Sequence, residues 1–202
     1  MKFPFLASFI VFLLVLNHAL RRRKKKDAST ERTFWERERD ANSVRRKSLD
    51  TLNYIRLPLD RFPMNLLPEN AEAMECQRQI EELSSQKIVN LTGFTNTDLK
   101  LEYGTANINV LSEYDQNYTL LVRTLQKWAD VLLEAGYSRE AQTLMEFAID
   151  TETDISKTYY KLAEIYLARG NHFQIQQLVE KAEKLRSANK NTIVRTLQES
   201  YL

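Results

Sequence analysis

The chain has one cysteine, Cys76, and two histidines, His18 and His172, in 202 residues. A single thiol excludes an intrachain disulfide and fits a reducing compartment. Two histidines, one of them inside an apolar N-terminal run, exclude a histidine-based triad and a two-histidine zinc site in the soluble part. Glycine and proline are scarce at four each, which favours helices over a turn-rich β architecture. No phosphate-cradling glycine loop, H-E-x-x-H, C-x-x-C or G-x-S-x-G occurs. The sequence therefore offers no catalytic, cofactor or metal motif, and it points to a non-enzymatic role. Asp150, Glu152 and Asp154 read as turn acids, and Cys76 as a small hydrophobe in a helix. Asn90-Leu-Thr92 and Asn117-Tyr-Thr119 match the glycosylation acceptor pattern, which goes unused in a cytosolic domain.

Charge is present but unevenly placed. Residues 21–50 hold twelve Lys/Arg against six Asp/Glu, whereas residues 51–202 hold sixteen against twenty-one. Basic character is thus local to the N-terminal region. Residues 3–20, FPFLASFIVFLLVLNHAL, are almost continuously apolar and end at Arg21, Arg22, Arg23, Lys24, Lys25 and Lys26. This predicts a single transmembrane helix over residues 1–20, the alternative being a cleaved signal peptide. Asn17 at a position that cleavage wants small, and the six cations after the run, favour the anchor. The positive-inside rule then puts the N-terminus outside and the C-terminal domain in the cytosol.

A basic juxtamembrane helix and linker is expected over 21–55. Thr33 and Glu36 form a capping-box pattern that predicts a helix over about 34–50. That helix is either a solvated spacer or lies along an anionic leaflet, with Trp35 at the interface and Arg45, Arg46 and Lys47 facing lipid. Residues 56–118 are read as a connector with three prolines at 58, 63 and 68 and N-terminal capping helices for the segment from 119 onward. The helix expected at 69–87 buries Met74, Ile80, Leu83 and Ile88. Within 88–118, Asn96 or Thr97 caps a short helix ending at Gly104, Thr105 opens another through Tyr114, and a strand at 99–103 stays open.

From Arg123 to Arg186 the chain says nearly the same thing twice. KWADVLLEAG at 127–136 is echoed by KLAEIYLARG at 161–170, an ungapped offset of 34 that also pairs Leu144 with Leu178 and Ala148 with Ala182. Small residues (Ala129, Ala141, Ala148, Ala163, Ala182) recur where paired helices must approach, with large apolar ones at helical spacing around them. Gly136 and Gly170 mark where each first helix ends.

In period and in the placement of Leu125, Trp128, Ala129, Leu132, Ala141, Met145 and Ala148, then Tyr159, Leu162, Ala163, Tyr166, Ile175, Val179 and Ala182, this part resembles the tetratricopeptide (TPR) repeat family. Thr153 and Ser187 stand where the family has proline. The whole layout is similar to membrane-anchored TPR-like proteins of Gram-positive bacteria, which implies a place at the plasma membrane of a bacterium. The resemblance implies an all-α, TPR-like solenoid of antiparallel helix pairs (119–152 and 153–186), completed within 119–202 by a C-terminal capping helix. It also implies a partner groove lined by Arg123, Gln126, Lys127, Asp130 and Glu134, then Lys157, Tyr160, Lys161 and Glu164. The partner is a protein or peptide, with Arg123/Lys127 and Lys157/Lys161 as paired cations that either grip an acidic segment or remain solvated. Asp130 and Glu164 stand where clamp-forming members have asparagine. Two functions stay open: a membrane-tethered scaffold facing the cytosol, or an electrostatic organiser holding anionic lipid through the basic region, with nucleic acid the disfavoured partner there. An exported TPR domain is the variant that depends on topology.

Overall fold

The computed structural model describes Phe12, Leu16 and residues 31–202. The described residues are helical or irregular, without a strand, so the expected all-α class holds. No helix among them is long and apolar enough to cross a membrane. The expected span at 3–20 and the basic run Arg21–Lys26 lie outside the described residues, apart from Phe12 and Leu16. Two compact units form, and neither is continuous in sequence. One holds the described residues up to Lys47 with Thr95–Ile108, and the other holds Ser48–Phe94 with Asn109–Leu202.

In the smaller unit, residues 31–43 are helical (α1), and the chain leaves the helix well before residue 50. Glu31 and Arg32 are already helical, so the Thr33–Glu36 pattern does not open it. The early end has a tertiary cause. The Lys47 N–H donates to the Tyr103 carbonyl at 3.0 Å, and the Lys47 carbonyl accepts from Asn107 Nδ2 at 2.8 Å. Bonds to a segment some sixty residues away replace those of further helical turns.

That segment is α3, Asn96–Tyr103, followed by a 3-10 turn at Thr105–Asn107. Thr95, one residue before the expected caps, opens α3 with a full capping box: its hydroxyl accepts from the Asp98 N–H while the Asp98 carboxylate accepts from the Thr95 N–H. Residues 99–103 are therefore helix, not strand. Gly104 closes α3 at φ +87°, and a Cβ there would sit 2.3 Å from the Arg45 carbonyl oxygen. Both backbone twist and close approach demand glycine at this crossing. Across the unit, Arg37 pairs with Asp98 at 2.5 Å, and Glu38 accepts from Lys100 and from Thr97.

The larger unit carries the recurrence. Its helices are α2 (Ala71–Ser84), α4 (Ile108–Glu134), α5 (Ser138–Asp150), α6 (Ser156–Ala168), α7 (His172–Ala182) and α8 (Lys190–Tyr201). Starts at Ser138 and His172, and at Ser156 and Lys190, repeat the offset of 34. Turn chemistry repeats with them. The Thr153 hydroxyl accepts from the Ile155 N–H at 3.3 Å and the Ser187 hydroxyl from the Asn189 N–H at 3.0 Å, so a short hydroxyl turn starts α6 and α8. At the other turns, the Tyr137 N–H bonds the Leu132 carbonyl and the Asn171 N–H the Tyr166 carbonyl, at 2.8 and 2.9 Å. Ala129, Ala141, Ala148, Ala163 and Ala182 are all buried, as close helix approach requires.

Three expectations change here. The helix expected to begin at about 119 starts at Ile108 and runs 27 residues without a break at Tyr114. Residues 88–118 do not act together as a cap, because 95–108 belong to the smaller unit. In α2, Asn70 caps the helix by accepting from the Ala73 N–H, and the buried face is Ala73, Cys76, Gln77, Ile80 and Leu83; Met74 is exposed.

The connector packs Phe62 into the core, against Trp128 and Phe147 at ring-centroid distances of 6.3 and 5.2 Å. Gln77 holds it, accepting from the Asn65 N–H at 2.6 Å and donating to the Leu66 carbonyl at 2.9 Å. At the opposite end, α8 buries only Ile193 and Leu197. Where α6 has Leu162, Ile165 and Tyr166 buried, α8 has Thr196, Glu199 and Ser200, a polar outer face suited to ending a stack.

Gly104→Ala should loosen the smaller unit by more than about 1 kcal/mol. Gly136→Ala, at φ +86° with open space around its Cβ, should cost less. Urea unfolding compared between the two variants checks this, and equal losses would remove the close-approach argument.

The same unit should be acid-sensitive. Hydrogen bonds from Lys100, then Thr97, hold the Glu38 carboxyl below its ordinary 4.5, and bonds from Thr95 hold Asp98 below 3.8. A depressed carboxylate stabilises fully above its unfolded value and loses that contribution as pH falls through its folded one. Below about pH 4, amide hydrogens in 31–43 should exchange faster while those in α5–α7 stay protected.

Candidate functional site

The nine expected groove residues all lie in the larger unit, on α4 and α6, but most are already engaged. Gln126 is buried: its Oε1 accepts from the fully buried Thr158 hydroxyl at 2.6 Å, and its Nε2 donates to Asp130 Oδ1 at 3.0 Å. Asp130 also receives Lys157 at 2.7 Å. Lys127 reaches Glu72 of α2 at 3.0 Å, and Lys161 reaches Glu164 at 2.8 Å. The partner carboxylates raise both lysines above their ordinary value. Tyr160 stacks on Tyr201 of α8 at 6.5 Å and 16°. Arg123 and Glu134 are exposed, and neither has an ion-pair partner among the described residues. Three of the four expected cations thus carry a carboxylate, and the face is close to neutral. Exposed pairs of this kind are weak and screened by salt, so a competing carboxylate can exchange into them.

Two helices expected from the sequence, α2 and α8, have a place beside this face that sequence reasoning does not give. The Thr124 hydroxyl donates to Gln79 of α2 at 2.9 Å, the same bond that Thr158 makes to Gln126, at an offset of 34. Helix α2 therefore stands beside α4 as α4 stands beside α6. The Thr124/Thr158 recurrence is visible in the sequence; its partner Gln79, far upstream and outside the period, is not. On the other side, the same offset places Asn191, Val194, Arg195 and Gln198 of α8 at the positions of Lys157, Tyr160, Lys161 and Glu164.

Of the residues expected to face lipid, Trp35 is exposed, as are Arg45, Arg46 and Lys47. Arg46 Nε donates to Asn107 Oδ1 at 3.0 Å and Lys47 Nζ to the Leu101 carbonyl at 3.2 Å, so both also hold the smaller unit together. Arg21, Arg22, Arg23, Lys24, Lys25 and Lys26 lie outside the described residues. Asn107, buried at the centre of these bonds, carries no sequence signal.

Elsewhere, polar residues noted in the sequence turn out to be structural. Asn90 Nδ2 donates to Tyr118 Oη at 3.0 Å and to the Thr151 carbonyl at 2.9 Å, and Asn117 Nδ2 donates to the Lys87 carbonyl at 3.0 Å. Asp154 accepts from Ser187 at 2.6 Å, fastening one hydroxyl turn to the next. Cys76 is buried, which pushes its thiol pKa up. Burial likewise raises Tyr118, Tyr159 and Tyr166. An open cleft is lined by Tyr54, Ile55, Arg56, Leu57, Ser84, Gln86, Lys87 and Ile88. Its Lys87 ammonium lies 5.3 Å from the Tyr54 ring and 5.8 Å from Tyr114. No cluster of metal-ligating side chains occurs among the described residues.

No family model, curated protein or solved structure matches the chain, so the functional argument rests on its own residues.

Gln126→Ala should leave the buried Thr158 hydroxyl without its acceptor and destabilise the larger unit by about 1–3 kcal/mol. Restoring an apolar match with Thr158→Val in the same chain should recover part of the loss. A double-mutant cycle by urea unfolding reads this coupling, and additive losses would show that the bond does not set helix register.

Proposed function

We propose that the chain is a membrane-tethered, non-enzymatic protein-interaction module of tetratricopeptide type. The observation that carries this reading is the 34-residue recurrence, which extends from side chains to helix starts, hydroxyl turns and the Thr–Gln bonds between successive first helices. Units of this kind bury their apolar faces against neighbours and leave the first-helix face to a ligand. Here that face offers Arg123, the exchangeable pairs of Lys127, Lys157 and Lys161, and the stacked rings of Tyr160 and Tyr201. A protein segment bearing carboxylates and an aromatic or apolar side chain suits it.

The apolar run at 3–20 supplies the tether, and the cations at 21–26 support a cytosolic C-terminal domain. The alternative organiser role has less support, because Arg46 and Lys47 are engaged within their own unit.

The test places a photo-crosslinking residue at position 123 or 195 of the full chain in its native membrane, with position 180 on α7 as control. A discrete crosslinked protein from 123 and 195 but not from 180 is expected. Crosslinks of equal yield from all three, or none from the first-helix face, would overturn the reading. Arg123→Glu should lower the yield several-fold, as loss of a contact residue does. Cys76 is too buried to report topology, so Cys76→Ala with Ser200→Cys, probed with an impermeant thiol reagent, is the companion measurement. Labelling in intact cells would move the module outside.

A further inference from the structure

Helix α1 has one face that is only partly covered. Phe34, Arg37, Glu38 and Ala41 succeed each other at helical spacing and share a side of the helix. The last three are engaged by the 95–108 segment, through Asp98, through Lys100 and Thr97, and through the Thr105 hydroxyl on the Ala41 carbonyl at 3.1 Å. Phe34, one turn earlier, overhangs that contact. It is 54% exposed and meets Trp35, 57% exposed, edge to face at 5.4 Å and 76°. The larger unit keeps its own indole, Trp128, fully buried.

We propose that Phe34 and Trp35 seat α1 at the headgroup level of an anionic bilayer, a role that rests on the tethered reading above and adds a second contact to it. Three observations select lipid as the occupant. Only seven residues separate the pair from six consecutive cations, whose charge complements anionic headgroups. An indole beside a phenyl ring has the mixed apolar and polar character that concentrates at membrane interfaces. Phe12 and Leu16, one turn apart with helical backbone in the apolar run, are exposed as well, so this chain does not cover the described side chains of that run either. A smaller unit held at both the anchor and α1 would be fixed at the surface and not free to swing from it.

The experiment uses the full chain reconstituted in phosphatidylcholine vesicles containing phosphatidylglycerol. Trp35 fluorescence is read as the difference between the protein and its Trp35→Phe variant, with the unchanged Trp128 signal as the check on folding. Expected are a blue-shifted Trp35 component, strong quenching by lipids spin-labelled near the headgroup, and loss of quenching by aqueous iodide. Iodide quenching as efficient as for an exposed indole, with none from the labelled lipid, would overturn the proposal. Shielding from both quenchers would overturn it too, since a protein surface would then be the occupant. Flotation of the same sample separates the two readings. Protein that floats through a high-salt wash with Trp35 still open to iodide keeps the tether and removes only this contact. Protein that does not float removes the tether on which the contact rests.

Discussion

The larger unit depends on a buried hydroxyl bonded to a buried amide. Thr158 and Gln126 lie between two helices that both turn large apolar side chains inward, and neither polar group has solvent to fall back on. An unmatched donor there costs more than a matched one contributes, so the bond acts mainly as a register pin. Sliding α6 against α4 by a turn would leave both groups stranded. The same pin between Thr124 and Gln79 extends the register to α2. With these helices in register, Ala129, Ala141, Ala148, Ala163 and Ala182 are all buried.

Helices that bury apolar faces against their neighbours need a polar or covered face at each end. At α8 that face is written into the side chains, since Thr196, Glu199 and Ser200 replace the apolar residues that α6 uses to hold its neighbours. At the other end it is built from a different kind of chain. The connector's prolines prevent helix, and Gln77 bonds its backbone as a strand partner would. Asn65 and Leu67 adopt positive φ, 61° and 59°, a conformation that leucine takes only when its surroundings over-determine it. Burial of Phe62 against Trp128 and Phe147 is the compensation. In this way the connector covers Trp128 of α4 and Phe147 of α5.

Legibility in the sequence depends on which interactions are local. The 34-residue recurrence, the buried alanines and the glycines at 136 and 170 all come from periodicity along one chain segment. The end of α1 at residue 43 does not, because it is decided by Tyr103 and Asn107, some sixty residues away. Gly104 reads in the sequence as an ordinary helix stop, and only the passage of Arg45 over it shows the second reason for a glycine. Apolar spacing alone turns Met74 inward; the face actually chosen includes Gln77, whose amide is needed by the connector. At the first-helix face the resemblance supplies the residue positions, but not their pairing. Glu72, Asp130 and Glu164 neutralise cations that look free in the sequence, since two of the three pairs cross between helices.

That pairing would constrain any ligand of the proposed face. Lys157–Asp130 and Lys127–Glu72 each join two helices, so a ligand carboxylate that takes either lysine must leave an aspartate or glutamate behind. The net electrostatic gain is then small, and salt would reduce the gain and the original pair together. Arg123 and Arg195 are free of that exchange, having no carboxylate partner among the described residues. Arg123 sits on α4, and Arg195 on α8, the helix that also carries Tyr201 of the ring stack. A ligand on the proposed face would therefore draw its charge recognition from these two arginines and its contact area from the Tyr160 and Tyr201 rings. Spacing between charges, more than their number, would set its specificity.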